Sequence, residues 1–186
     1  MDETLQNINK PTSVEQEKQR LWDILNTVLD PEIPVLSIVD LGIVRNVEYS
    51  TSPAPKGQGE VIITPTYSGC PAMDVISVNI KMVLLQNNFN NVKITQQLSP
   101  AWTTDWMSEK GKQKLKVYGI APPIARPYDL PSDRLKKMFS DHEISVQCPL
   151  CNSMNTNLIS QFGSTACKAL YQCNECKEPF DYFKCH

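Results

Sequence analysis

Seven cysteines carry most of the chemistry legible in this 186-residue sequence, and their spacing sorts them into groups. Cys148-Pro149-Leu150-Cys151 and Cys173-Asn174-Glu175-Cys176 each separate two thiols by two residues. A chain turning through that spacing presents both sulfurs to one tetrahedral ion, and two such knuckles close a four-sulfur site. The 21 residues between the knuckles slightly exceed the usual interval of roughly 15 to 20 and leave room for a β-hairpin. Zinc is the default occupant; iron in a rubredoxin-like site is the alternative, because tetrahedral sulfur ligation suits both. A closed set of four protein ligands leaves no position for water or substrate, so the predicted role is structural. Asn152, after the first knuckle, tolerates left-handed backbone. Lys177, after the second, is less expected there, although it softens the charge of a tetra-thiolate.

Three further groups near the carboxy terminus stay open. Cys167, Cys185 and His186 read equally as spare ligands, a second metal site or a contact surface. Phe162, Tyr171, Phe180, Tyr182 and Phe183 read as the small core of the metal module or as a docking surface. The remaining thiol, Cys70, lies far away in Gly69-Cys70-Pro71, at the start of a long apolar stretch. A thiol at a helix start faces unpaired amides and the positive end of the helix dipole, which lowers its pKa and favours nucleophile or ligand chemistry. The competing reading is a small buried hydrophobe, with Asp30 only capping its own turn. No histidine supports Cys70 as a catalytic nucleophile: His142 and His186 both lie beyond the first domain.

Composition bounds the rest. Eighteen Lys and Arg face 20 Asp and Glu, a net charge of −2, which argues against a nucleic-acid surface. No apolar run approaches the roughly 18 residues of a membrane span, and the polar start at 1–10 lacks the pattern of a secretory signal. The expectation is a cytoplasmic protein with neither nucleic-acid nor membrane partners. In a reducing compartment, paired cysteines hold metal more often than they form disulfides. Six of the seven follow residue 147, which marks a second module.

Along the chain, 1–12 reads as a mobile tail. Ser13, with Gln16 three residues on, reads as a capping box opening a helix that ends at Asp30, Pro31 and Pro34. Residues 43–49 and 61–64 read as a hairpin around the Pro- and Gly-rich 52–59. Pro71 opens a long helix with two apolar stripes: Met73, Ile76, Ile80 and Val83, and Val75, Val78, Met82 and Leu85. Two stripes predict a central helix covered on more than one side. A third strand follows at 92–98, then a short helix capped by Thr103 or Thr104 and stopping near Gly111. The prolines of 121–131 read as a stiff connection, 133–143 as a charged, helical segment, and short strands fall around 144–147, 157–162, 169–172 and 180–183. The fold class is α+β. The predicted division is a first domain over 13–127, a linker over 128–143 and a four-cysteine ribbon over 144–186.

Several motifs carry a resemblance. Asp30-Pro31-Glu32-Ile33-Pro34-Val35, Asp40-Leu41-Gly42-Ile43-Val44 and Thr64-Pro65-Thr66-Tyr67-Ser68-Gly69-Cys70-Pro71 resemble iron–sulfur cluster assembly proteins with a MIP18-like domain, a small mixed sheet around a central helix. Leu98-Ser99-Pro100-Ala101-Trp102-Thr103-Thr104-Asp105-Trp106, Tyr118-Gly119-Ile120-Ala121-Pro122-Pro123, the two knuckles, 162–170 and Glu178-Pro179-Phe180-Asp181 resemble the PaaD (PaaJ) family of the phenylacetyl-CoA epoxidase system, over nearly all of 14–186. The resemblance implies a bacterial accessory protein of aerobic phenylacetate degradation, in which a di-iron oxygenase epoxidises the ring and a reductase with flavin and a [2Fe–2S] cluster feeds it electrons. This chain has no Glu-x-x-His pair and no glycine-rich dinucleotide fingerprint. It is therefore expected not to be an enzyme but a factor that helps assemble or insert an iron–sulfur cluster, into the reductase above all. Cys70 would be the transient ligand, with Asp30, Glu32 and Thr64 shaping its surroundings, zinc structural in the ribbon and Cys167 a candidate additional ligand. A homodimer would bring a second Cys70. The alternative is a structural subunit docking on the oxygenase.

Overall fold

The computed structural model describes residues 13–52, 57–124 and 146–184. The tail expected over 1–12, the connection over 128–143, and Cys185 and His186 lie outside the described residues. The capping box forms as its spacing implies. Ser13 Oγ accepts from the Gln16 amide at 3.2 Å and Gln16 Oε1 accepts from the Ser13 amide at 2.8 Å. The helix that follows, α1 (Val14–Leu25), buries Leu21, Ile24 and Leu25.

Strands β1 (Val44–Ser50) and β2 (Gln58–Ile63) pair antiparallel, and β3 (Val92–Gln96) joins β2 in parallel. A parallel neighbour needs a crossover, and the long helix α2 (Ala72–Gln86) supplies it. Its first stripe is buried at Met73, Ile76 and Ile80, with Leu84 completing the face. Among the described residues nothing covers the second stripe: Val75, Val78, Met82 and Leu85 are 47–57% exposed. The apolar residues of α2 thus mark one core face and one surface face, not two buried ones.

The stretch after β3 departs from expectation. Thr103 caps only a single 3-10 turn, Thr104–Trp106. A separate helix, α3 (Glu109–Tyr118), is capped by Ser108 and closed by Gly119 at φ 91°. Gly111 does not end a helix; it lies inside α3, where a Cβ would stand 2.9 Å from the Asp40 carbonyl oxygen. Glycine there lets α3 lie against the loop that carries Asp40.

That loop is a polar anchor. Asp40 is 5% exposed. Its carboxylate accepts from Ser108 Oγ at 2.8 Å and from Lys114 Nζ at 2.5 Å, and its amide donates to Ser37 Oγ at 2.9 Å. Burial alone would raise the Asp40 pKa, but the Lys114 and Ser108 hydrogen bonds outweigh it and hold the carboxyl below its ordinary value. Two residues on, Gly42 sits at φ +69°, and a Cβ would meet the Trp106 carbonyl oxygen at 2.3 Å. No side chain fits that position without moving backbone.

The ribbon contributes β5 (Thr156–Ser160), β6 (Lys168–Cys173) and β7 (Pro179–Phe183), and its sheet recruits a fourth strand from before the connection. β4 (Ile120–Ala121) pairs in parallel with β7, giving the order β4-β7-β6-β5. Tyr171, Phe180 and Tyr182 form the ribbon's own core with Val146 and Ala169. Phe183 and Cys167 instead belong to the core of the first module. Phe183 meets Trp102 edge-on with ring centroids 6.0 Å apart, and the Trp102 indole donates to the Leu41 carbonyl at 2.9 Å.

At the far end of the ribbon the Sγ atoms of Cys148, Cys151, Cys173 and Cys176 all lie within 4.8 Å of one another. The Cys148–Cys176 and Cys151–Cys173 separations are 3.8 and 3.5 Å, close to the edge of about 3.8 Å of a tetrahedron with Zn–S bonds of about 2.3 Å. The knuckles are built alike. The Asn152 amide bonds the Cys148 carbonyl and the Lys177 amide the Cys173 carbonyl, both at 3.0 Å, with Asn152 at φ 63° and Lys177 at φ 66°. Amides of Cys176 and Glu175 favour the Cys173 thiolate, while the hydrogen bonds among the clustered thiols push Cys151 and Cys176 up. The donor set fits one structural zinc. Among the described residues no helix is long and apolar enough to cross a membrane.

Both the Asp40 anchor and the ribbon's metal end are open to measurement. Asp40→Asn should cost about 1.5–3 kcal/mol in denaturant unfolding at neutral pH, the range for hydrogen bonds to a charged group. A depressed folded-state pKa adds stability above the unfolded value of about 3.9 and loses it as pH falls through the folded value. The wild type should therefore lose more stability than the variant between neutral and acid pH, and parallel curves would remove Asp40 as the cause. Elemental analysis should give one zinc per chain. Stripping it should lower the unfolding midpoint of the first module too, since Phe183 and Cys167 are part of that core; a midpoint unmoved by chelation contradicts this.

Candidate functional site

Residues 30–36 form a tight turn after α1, and the Asp30 carboxylate builds it. Its Oδ1 accepts from the Glu32 amide at 2.9 Å and the Ile33 amide at 2.7 Å, while the Asp30 amide donates to the Leu36 carbonyl at 2.9 Å. Ile33 and Leu36 are buried and pin the turn to the core. Asp30 itself is 7% exposed. Burial raises its pKa against the two amides that favour the charged form. Asp30 is thus a turn-former first, and its turn carries the half-buried Glu32 side chain.

The second loop, 64–71, runs from the end of β2 to the start of α2. Thr64 is buried, and its amide bonds the Ile43 carbonyl at 2.9 Å. It fixes the loop's first residue and is not among the groups acting most strongly on the Cys70 thiol. Gly69 takes φ +84° with open space where a Cβ would be, so its left-handed backbone is what asks for glycine. Cys70 follows, half-buried, its amide bonded to the Tyr67 carbonyl at 3.3 Å.

The ionisation of Cys70 reverses the expectation from its place at a helix start. Pro71, not Cys70, is the N-cap residue of α2. Burial raises the thiol's pKa; the Ala72 amide and the Tyr67 hydroxyl pull the other way, and Glu32 and Asp30 add to the rise. Desolvation together with two carboxylates outweighs the amide. A thiol whose pKa lies above its ordinary value is a poor nucleophile, and it becomes a ligand when a cation displaces its proton. The Tyr67 hydroxyl is pushed up to about 12, chiefly by burial and then by Cys70.

The ribbon adds Cys167, which the sequence leaves open as a spare ligand, a second metal site or a contact surface. Cys167 lies at the opposite end of β6 from the ligand Cys173, about 20 Å away at strand rise, so it cannot reach the four-sulfur site. Its Sγ is 3.4 Å from Glu32 Oε2 and 3.0 Å from Thr165 Oγ1. It is 4% exposed, and burial pushes its pKa up to about 11, with the Glu32 charge adding to the rise. Lys168, also buried, acts on both Asp30 and Cys167, and its Nζ stands 3.6 Å from Asp181 Oδ2. The structure thus brings Asp30, Glu32 and Cys70 into one neighbourhood and adds Tyr67, Cys167 and Lys168. A separation of 135 residues hides the Glu32–Cys167 contact from any local reading. The only sequence signal was a lone cysteine in 162–170, one of the stretches carrying the resemblance. Thiols beside a carboxylate suit a thiophilic cation better than acid–base or nucleophilic work.

Known proteins resemble this chain in parts and over nearly its whole length. Residues 18–94 match the family model described as an iron–sulfur cluster assembly protein, and residues 133–184 match the PaaD zinc beta ribbon domain. A solved domain of unknown function, DUF59, from Bacillus anthracis is 28% identical, covers 55% of this chain and 94% of its own, and superposes with a TM-score of 0.50. An Fe–S protein maturation auxiliary factor of Porphyromonas gingivalis is 36% identical over 54% of this chain and 91% of its own length. An Escherichia coli protein, provisionally named as the D-type subunit of 1,2-phenylacetyl-CoA epoxidase, is 48% identical over 89% of this chain and 91% of its own. With an iron–sulfur assembly domain, a PaaD zinc ribbon and that degree of identity over almost its whole length, the chain belongs to the PaaD family of phenylacetyl-CoA epoxidase subunits.

Proposed function

We propose that this chain is a non-catalytic accessory protein of a phenylacetyl-CoA epoxidase system, working in the cytoplasm, that assists assembly or insertion of an iron–sulfur cluster in the flavin and [2Fe–2S] reductase. The observation that carries the reading is Cys70: a half-buried thiol in a loop between strand and helix, its pKa raised by burial and by Glu32 and Asp30. Such a thiol binds metal only by losing its proton, so the bond is reversible and pH-dependent. Transfer asks for that incomplete ligation, whereas the ribbon's four-thiol cage is closed and holds its zinc for structure. Asp30 shapes the turn that presents Glu32, and Thr64 fixes the base of the Cys70 loop. The names of the relatives, an epoxidase subunit and a maturation factor, support the same reading.

A docking subunit without cluster traffic is the second reading, and the exposed stripe of α2 favours it. Val75, Val78, Met82 and Leu85 make an apolar helix face of the kind that seats against a partner. Cys70→Ser separates the two. Co-expressed with that variant, the reductase should be purified with its iron and sulfide several-fold depleted, while the variant keeps its zinc and unfolding midpoint. A fully loaded reductase beside a folded Cys70→Ser protein decides for docking.

A further inference from the structure

We infer that Cys167 of the ribbon, Glu32 and Cys70 form one composite ligand set, built across the two modules, for a thiophilic divalent cation such as ferrous iron. The inference deepens the transfer reading above and rests on it for biological purpose, but its chemistry is tested separately. Three observations point the same way. Cys167 is separated by the length of β6 from the zinc ligands, and it lies in the first module's core with a polar partner. Its thiol is aimed at the Glu32 carboxylate, 3.4 Å away. The Tyr67 hydroxyl is hydrogen-bonded to the Cys70 thiol and feels the charges of Glu32 and Cys167, so the Cys70 loop lies on the side of the Glu32–Cys167 pair. Cationic Lys168 and Lys184 both act on Cys167, offsetting charge where thiolates would form.

The donor set is two thiols and one carboxylate. Sulfur selects a thiophilic metal, and three protein ligands leave a position open, unlike the closed ribbon site. The three donors do not all lie within 4.8 Å of one another; among the described residues only the ribbon thiols form such a set. Cys70 instead bonds to Tyr67, and an arriving cation must replace that hydrogen bond. Binding is an exchange of protons for metal. The cation gains two thiolate bonds and one carboxylate bond, the two thiol protons pass to solvent, and no electron moves. One chain then supplies two thiols, and a second copy is not needed to complete the site.

Cobalt(II) is the probe, titrated anaerobically into the full zinc-loaded chain. Near-ultraviolet thiolate-to-cobalt charge transfer reports binding, and released zinc is measured in parallel. The wild type should take up one cobalt without releasing zinc. Cys167→Ala and Cys70→Ser, each verified by zinc content and unfolding midpoint, should each weaken uptake at least about tenfold and roughly halve the charge-transfer intensity. Glu32→Gln should weaken uptake while leaving the intensity per bound cobalt unchanged. Cobalt uptake unaltered in Cys167→Ala but lost in Cys70→Ser overturns the composite site and leaves the Cys70 reading standing. Uptake unaltered in Cys70→Ser, or none beyond zinc exchange in the wild type, overturns both.

Discussion

Phe183 against Trp102 is the contact on which the arrangement of the two modules depends. Trp102 is tied to the Leu41 carbonyl through its indole nitrogen, so it offers the ribbon a fixed wall. Phe183, 1% exposed, fills the space beside it. Burial of one such ring contributes about 1.5–3 kcal/mol, and the parallel β4–β7 pairing sets its direction. Without that seat, the loop ending at Cys167 would have no reason to face the turn of Asp30 and Glu32. A ribbon of this size cannot bury enough apolar surface by itself; it is stabilised at one end by metal and at the other by the first module's core.

Electrostatics at the candidate site turn on which of two opposed effects is larger. A helix start favours a thiolate, and for Cys70 that effect survives as the Ala72 amide. Partial burial and two nearby carboxylates oppose it and win. The same competition at Asp40 has the other outcome, because Lys114 and Ser108 supply more than burial removes. Buried carboxylates in this fold thus serve two purposes. Asp40 is matched with a cation and locks α3 in place. Asp30 gives its Oδ1 to the amides of its own turn and adds to the rise in the Cys70 pKa.

What was legible in the sequence was what is local. The Ser13–Gln16 box, the two knuckles and the left-handed Asn152 are decided within a few residues, and they stand where pattern placed them. α3 was not legible, because its Lys-rich turns show little apolar periodicity and Gly111 looks like a terminator. Its glycine is explained only by the Asp40 backbone against it. β4 is two residues long and exists through its partner. The uncovered stripe of α2 shows the limit of periodicity, which says that a face is apolar but not what lies over it. At the candidate site, Cys70, Asp30 and Glu32 belong to motifs that stand out; the meeting of Glu32 with Cys167 is a product of tertiary packing alone.

Strand β6 ends in Cys173 on one side and begins just after Cys167 on the other. It is hydrogen-bonded to a neighbour along both edges. Side chains on a strand alternate between faces, so a slip of one residue would turn every one of them over. The zinc therefore does more than hold two knuckles closed. By clamping Cys173 it sets the phase of the whole strand, and with it whether the thiol at the far end points toward Glu32 or away. A metal that takes no part in chemistry acts here as a reference mark, fixing the orientation of a thiol a strand's length away.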